Sequence, residues 1–218
     1  MEIPKNLEFL KNLAEVKRGY EVKCCWGVEG CPNSLVPCKE LLVQIKNILE
    51  DEKITEFLLE KTGGKIKRHN VFRVGIAGCP NCCSQIHIMD IGIHGFVVIE
   101  IDAEKCDGCG ECKSVCEEEA IVEKEKRFEV DPERCLGCGM CARVCKKGAI
   151  NIQKRGYKLY IGGKLGRHPR LASLYGTYFT EEEVLKAVKE VVEFYKSHNQ
   201  KGERLGTILQ RKQKQGQI

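Results

Sequence analysis

One cysteine run occurs twice in this chain. Cys106, Cys109, Cys112 and Cys116 read C-x2-C-x2-C-x3-C, and Cys135, Cys138, Cys141 and Cys145 read the same. Eight thiols at one repeated spacing constrain the backbone more tightly than any apolar pattern, because each run has to wrap a compact iron–sulfur cube. Where two [4Fe-4S] clusters share a unit, the fourth cysteine of each run ligates the other cluster. The expected sets are therefore Cys106, Cys109 and Cys112 with Cys145, and Cys135, Cys138 and Cys141 with Cys116. The flanking residues repeat as well: Ile101-Asp102-Ala103-Glu104-Lys105-Cys106 matches Val130-Asp131-Pro132-Glu133-Arg134-Cys135, and Ala120-Ile121 matches Ala149-Ile150, all at a spacing of 29. Such a duplication implies a pseudo-two-fold unit. Gly108, Gly110, Gly137, Gly139 and Pro132 suit a chain that curls round a cube and aims N–H groups at its sulfurs.

A second cysteine set is split. Cys25-x5-Cys31 lies some fifty residues before Cys79-x3-Cys83, and four soft thiolates brought together by folding suit a third cube. A disulfide framework is the competing reading of fifteen cysteines in 218 residues. That framework belongs to small secreted chains, and C-x2-C-x2-C holds its sulfurs too close for simple bridging. Cys24, Cys38 and Cys82 fall outside both ligand sets, with Cys38 expected to be a buried, inert thiol.

Hydrophobic residues make up 42% of the chain, enough to bury a core in one or two domains. No apolar run approaches the roughly 20 residues that span a bilayer, and the first residues alternate charge with apolar side chains, so no membrane span and a cytoplasmic location are expected. The net charge of +5 is spread along the sequence and does not argue for nucleic acid. The basic stretch at Arg211, Lys212 and Lys214 reads as a solvated, frayed tail.

Apolar residues at helical spacing mark one stripe at Ile3, Leu7, Leu10 and Ala14 and a second at Leu41, Leu42, Ile45, Ile48 and Leu49, continuing through Ile54, Phe57 and Leu58 until Gly63 and Gly64. Strand patterns begin at Val71 and span 91 to 101, with Cys79 placed where a strand gives way to a turn. After the duplicated unit, YKLYI reads as a short strand leading into a glycine-rich basic loop. Thr180 and Glu183 then form a capping box for a helix whose buried face is Val184, Ala187, Val188, Val191, Val192 and Tyr195. Because strand and helix resume after the cysteine repeat, residues 96–153 read as a ferredoxin module inserted into a discontinuous parent domain, 1–95 with 154–218. The fold class is α+β, a mixed sheet with packed helices carrying a ferredoxin-like insert.

Cys25-x5-Cys31 followed by GIAGCPNCC resembles the siroheme-dependent sulfite and nitrite reductases, whose Cys-x5-Cys and Cys-Pro-Asn-x-Cys elements hold a cube coupled to siroheme. IGGKLGRHP is similar to that family's loop beside the tetrapyrrole, and the inserted ferredoxin is similar to the anaerobic and dissimilatory sulfite reductase subunits. The resemblance implies three [4Fe-4S] clusters and siroheme. Cys25, Cys31, Cys79 and Cys83 would hold the third cube, with Cys83 bridging to the siroheme iron and Asn81, Gly162, Gly163, Lys164 and Arg167 close to the cofactor. Lys164, Arg167 and His168 are the candidates for catalytic contacts to siroheme carboxylates or to a small oxyanion. Sulfite is the expected substrate and nitrite the alternative. A protein donor such as a ferredoxin would feed electrons through the duplicated run under anaerobic conditions.

The sequence also departs from that family. The residue before the bridging cysteine is commonly glycine there and is Cys82 here, which leaves Cys82 and Cys83 as alternative ligands, as Cys24 and Cys25 are. Only 24 residues precede Cys25, where the family places the other half of its cavity, so either a second subunit or a second copy is expected to complete the site, or the cavity is open and differently used. The other class of function is an iron–sulfur electron-transfer protein or electron-delivering subunit without siroheme. His69, His87, His94 and His198 match no motif and read as structural or exposed.

Overall fold

A computed structural model describes residues 16–124 and 127–216. The apolar stripe from Ile3 to Ala14 lies outside the described residues. Five strands form one mixed sheet: β1 (Tyr20–Cys24), β2 (Phe72–Ala77), β3 (Ile91–Ile101), β6 (Ile150–Ile161) and β7 (Ser173–Tyr178), side by side in that order. β1, β2 and β3 run parallel, whereas β6 and β7 join antiparallel. A separate hairpin, β4 (Ile121–Lys124) with β5 (Arg127–Val130), lies between β3 and β6 in the chain.

Parallel neighbours need long crossovers, and helices supply them. Between β1 and β2 the chain forms α1 (Cys38–Asp51) and α2 (Ile54–Lys61). These are the two parts of the expected second stripe, separated where Lys53 takes a left-handed φ of 49°. Leu41, Ile45 and Leu49 of α1 are fully buried in the main core with Val74, Ile76, Ile93 and Leu159 from the strands. Two short helices, α3 (Glu111–Ser114) and α4 (Met140–Val144), occupy equivalent places in the cysteine repeat. The helix after β7, α5 (Glu181–His198), starts with the expected capping box: Thr180 Oγ1 accepts from Glu183 N, and Glu183 Oε2 accepts from Thr180 N. Its expected buried face is the observed one.

The C-terminal stretch departs from its sequence reading. Residues Leu205–Lys214 form α6, with Leu205, Ile208 and Leu209 buried. Arg211 is tied down by Glu203 Oε1 at 2.7 Å and by the carbonyl of His198. Leu205, Ile208 and Leu209 carry the i, i+3, i+4 spacing of a helix face, a pattern masked by the charges around it. A second correction concerns β6, which is twelve residues long and starts at Ile150.

That length matters for the cysteine repeat. Ile91 and Ile93 of β3 belong to the main core, whereas Ile99, Ile101 and Ile150 pack with Cys112, Ile121, Phe128 and Cys141 in a second core. The β3–β6 ladder therefore runs from one core into the other. Between Val98 and Ile99 its register slips by one residue, so that Gln153 stands opposite no residue of β3, and such a bulge bends and twists the pair.

Candidate iron–sulfur centres and their setting

The duplicated cysteine unit repeats its geometry as well as its sequence. Asp102 Oδ1 accepts from Glu104 N and Lys105 N, and Asp131 Oδ1 accepts from Glu133 N and Arg134 N. Asp102 N donates to Ala149 O while Asp131 N donates to Ala120 O, each at 2.7 Å, so each half is closed by the other half's backbone. The four glycines of the two runs share φ values of 72° to 78°, a left-handed turn that lets the cysteine loop fold back. The Sγ of Cys116 accepts from Ala120 N and that of Cys145 from Ala149 N, both at 3.3 Å.

A cavity of about 340 Å³ is lined by Cys106, Cys109, Cys112 and Cys145, the set expected for the first cube. A larger cavity of about 960 Å³ exposes Cys116 and Cys138 on one side and Cys79 with Asn33 and Asn81 on the other. The two halves of the repeat differ at the rim. Asp107 and Glu111 of the first half pair with Lys147 and Lys146. Their counterparts in the second half are the partly exposed Leu136 and Met140, which line the larger cavity. The end of the repeat that carries Leu136 and Met140 is thus the one that meets the split cysteine set, across a cavity that Glu117 and Glu118 also line.

The split set comes together. Cys25 follows the last residue of β1, Cys79 lies two residues past β2, and pairing of these adjacent parallel strands brings their ends together. A cavity of about 350 Å³ is lined by Cys25, Cys31, Cys79, Cys82 and Cys83, with Asn33, Ser34 and Asn81 beside them. Cys25 Sγ accepts from Gly27 N at 3.3 Å and Gly78 N at 3.2 Å. Two backbone N–H groups aimed at one sulfur are contacts of the kind that orient a metal ligand. Burial pushes up the thiols of Cys79 and Cys112, that of Cys82 to about 11 and that of Cys141 to about 12. A coordinated cation reverses this preference by deprotonating its ligands outright. Donor set, N–H groups and cavities all fit iron–sulfur cubes.

Cys82 has a φ of 51°, a left-handed conformation in which glycine is free of strain and other residues are not. This is the physical reason a glycine suits that position. Cys83 is exposed, and Cys82 is partly buried. Cys38 is buried as expected, but it is not isolated: the sulfurs of Cys24, Cys25 and Cys38 lie within 4.8 Å of one another. Cys24 and Cys38 influence each other's ionisation. Their mutual hydrogen bond raises Cys24 and lowers Cys38, the latter to about 6.

The basic loop behaves differently from the cysteines. Lys164 is buried, with Nζ donating to Thr207 Oγ1 of α6 at 3.1 Å. Gly162 lies against Leu209, and Gly163 against the carbonyls of His87 and Met89. Arg167 and His168 are exposed, and none of these five residues lines the cysteine cavity. Sequence reasoning missed a basic cleft of about 1090 Å³ lined by Lys23, Arg68, His69, Arg73 and Arg204, with Leu165 of the same loop at its edge. Period-2 alternation in YEVKC was its one signal, since it places Glu21 and Lys23 on the sheet face away from the main core. Arg204 is held there by Asp90, fully buried, at 2.6 Å. The histidines are structural or exposed: His94 is buried against Tyr160, and His198 stacks on Phe194.

Comparison with known proteins agrees with this geometry. The nitrite and sulphite reductase 4Fe-4S domain matches residues 17–212. The coenzyme F420-dependent sulfite reductase of Methanocaldococcus jannaschii is 39% identical over 142 residues, 64% of this chain and 23% of that protein. A subunit of the anaerobic sulfite reductase of Salmonella typhimurium is 32% identical over 126 residues, 56% of this chain and 37% of that polypeptide. The chain thus spans well under half the length of these relatives. A crystal structure of dissimilatory sulfite reductase I superposes with a TM-score of 0.61 at 19% identity, over 94% of this chain and 53% of that one, and shares its fold. With its split cysteine set gathered at the ends of β1 and β2, the chain belongs to the nitrite and sulphite reductase 4Fe-4S domain family.

Proposed function

We propose that this protein is the cluster-bearing half of a siroheme-dependent sulfite reductase, with residues 96–153 as an inserted two-cluster ferredoxin. The observation that carries the reading is the convergence of Cys25, Cys31, Cys79 and Cys83 on one cavity, with two backbone N–H groups aimed at Cys25. The relatives named as sulfite reductases support sulfite as the substrate, with nitrite as the alternative. Siroheme, when bound, would supply the iron at which the oxyanion is reduced in a six-electron reaction. The residues of this chain would hold cubes that store and deliver those electrons.

The cavities support an order for the relay. Cys106, Cys109, Cys112 and Cys145 would hold the outer cube, near the polar rim where a ferredoxin-like donor docks. Cys135, Cys138, Cys141 and Cys116 would hold the inner one, since Cys116 and Cys138 share a cavity with Cys79. Cys83, exposed at the edge of the third site, is the thiol suited to bridge outward to siroheme. Lys23, Arg68 and Arg73 of the basic cleft would also meet carboxylates or a substrate oxyanion, with Lys23 and Arg73 paired to Glu21 as the amine of Lys164 is bonded to Thr207. Arg167 and His168, exposed on the loop, would join them. Trp26, 80% exposed beside Cys25, marks the face on which a second subunit or second copy would complete the cavity.

That engagement of Lys164 also favours a second reading, an iron–sulfur electron carrier or electron-delivering subunit without siroheme. The visible spectrum of protein purified anaerobically from a siroheme-making host, followed by tetrapyrrole extraction, separates the two. Siroheme bands that shift on adding sulfite uphold the reductase. A bare iron–sulfur spectrum from the same host leaves the electron carrier.

A further inference from the structure

Two thiols lie against the third cluster site without belonging to its ligand set. Cys24 ends β1, where it pairs with Ile76 of β2, and Cys38 opens α1. Both lie within 4.8 Å of each other and of Cys25. Cys25 has its own partners in Gly27 N and Gly78 N and faces the cysteine cavity, which neither Cys24 nor Cys38 lines. Cys24 and Cys38 are therefore the two thiols of the group that stand outside the cavity, with Ser34 Oγ 3.6 Å from Cys38 Sγ. Sulfurs this near have to close to roughly 2 Å to form a disulfide.

We propose that Cys24 and Cys38 form a reversible dithiol/disulfide couple, a two-electron centre beside the third cube that exchanges with low-molecular-weight disulfides. The pair is defined by its own geometry; only its adjacency to a cube rests on the function proposed above. Cys24 is partly exposed and Cys38 is 2% exposed, so the order of events is set. Cys24 attacks one sulfur of an external disulfide and forms a mixed disulfide, its proton passing by way of Cys38 to the small thiolate that is expelled. The Cys38 thiolate then attacks Sγ of Cys24, forming the Cys24–Cys38 bond and expelling the second. Two protein thiols lose two electrons and two protons, and the external disulfide gains them as two thiols. The loop closed by this bond contains Cys25 and Cys31, so oxidation tethers the segment that carries half of the third ligand set.

The test uses the intact, cluster-loaded protein under anaerobic conditions, equilibrated with stepped ratios of oxidised to reduced glutathione, then alkylated and digested. Mass spectrometry should find a Cys24–Cys38 linked peptide that rises from near absence to the majority of chains across the series and disappears on adding dithiothreitol. Cys24→Ser and Cys38→Ser should each abolish it while keeping the iron content and cluster EPR signals of the parent. Free Cys24 and Cys38 at every ratio would overturn the proposal. So would loss of about four irons per chain in Cys38→Ser, since that would make Cys38 a ligand of a cube. If iron analysis finds about eight irons per chain instead of about twelve while the link still forms, the third cube falls and the couple stands.

Discussion

The backbone N–H of Gly78 donates to the Sγ of Cys25 at 3.2 Å across 53 residues of sequence. That bond joins the two halves of the split cysteine set and depends on a bare Cα. A Cβ at Gly78 would collide with Ser34 Oγ and come within 3.1 Å of Cys38 Sγ. Gly78→Ala should therefore lose the third cube and leave the other two, reading as about four fewer irons per chain with the paired-cluster EPR signal unchanged.

Cys82 and Cys83 should respond in opposite directions. Cys82 sits at a φ of 51°, and a non-glycine residue there stores of order 1 kcal/mol of strain. Cys82→Gly should keep the full iron content and raise stability by about 1 kcal/mol in denaturant titrations. Cys83→Ser should lose the coupling of the third cube to siroheme while the ferredoxin signals persist. If Cys82→Gly loses iron and Cys83→Ser does not, Cys82 is the ligand.

The two halves of the duplicated cysteine unit should not tolerate alanine equally. Gly110 and Gly139 are equivalent in the repeat, yet a Cβ at Gly139 would lie 3.2 Å from Val97 Cγ2, and one at Gly110 meets nothing nearer than Phe128 at 3.9 Å. Gly137 is tighter still, its Cβ position 2.6 Å from Val97 O. All three have positive φ, so the strain from backbone conformation is common to them. Gly137→Ala should destabilise by about 1–3 kcal/mol more than Gly110→Ala, the cost of pushing the unit off β3, with Gly139→Ala between the two. Thermal unfolding of the loaded proteins measures the difference.

His94 should give the protein part of its acid sensitivity. Burial, reinforced by Lys158 and His87, lowers its pKa from 6.5 to about 4, while its ring bonds Gly95 O and Tyr160 Oη. A base that is harder to protonate when folded contributes stability that is complete above pH 6.5 and is lost as pH falls toward 4. The wild type should lose about 2 kcal/mol between pH 7 and pH 5 through this group. His94→Gln should lack that component, so the difference between the two proteins' denaturation midpoints should narrow over the same interval.

The candidate ligands were legible in the amino-acid order alone. Cysteine spacing is a local covalent property, and the 29-residue repeat could be read directly because each half carries its own run of aspartate, cysteines and glycines. The capping box at Thr180 and the buried stripe of α5 were legible for the same reason, being set within a few turns of one helix. Other features exist only once the chain has folded. Cys25 and Cys79 meet because β1 and β2 are parallel neighbours, and no local rule fixes strand order. Leu136 and Met140, rather than Asp107 and Glu111, meet the split set because the β3–β6 ladder with its bulge at Val98 orients a unit whose two halves are otherwise alike. Lys164 looked like a ligand-binding cation in a glycine-rich loop and is held by Thr207 because α6, hidden among charges, packs beneath it. The basic cleft gathers Lys23, Arg68, Arg73 and Arg204 from three separate stretches of the chain. Charge carries no sequence period, so only the folded sheet brings it to one place.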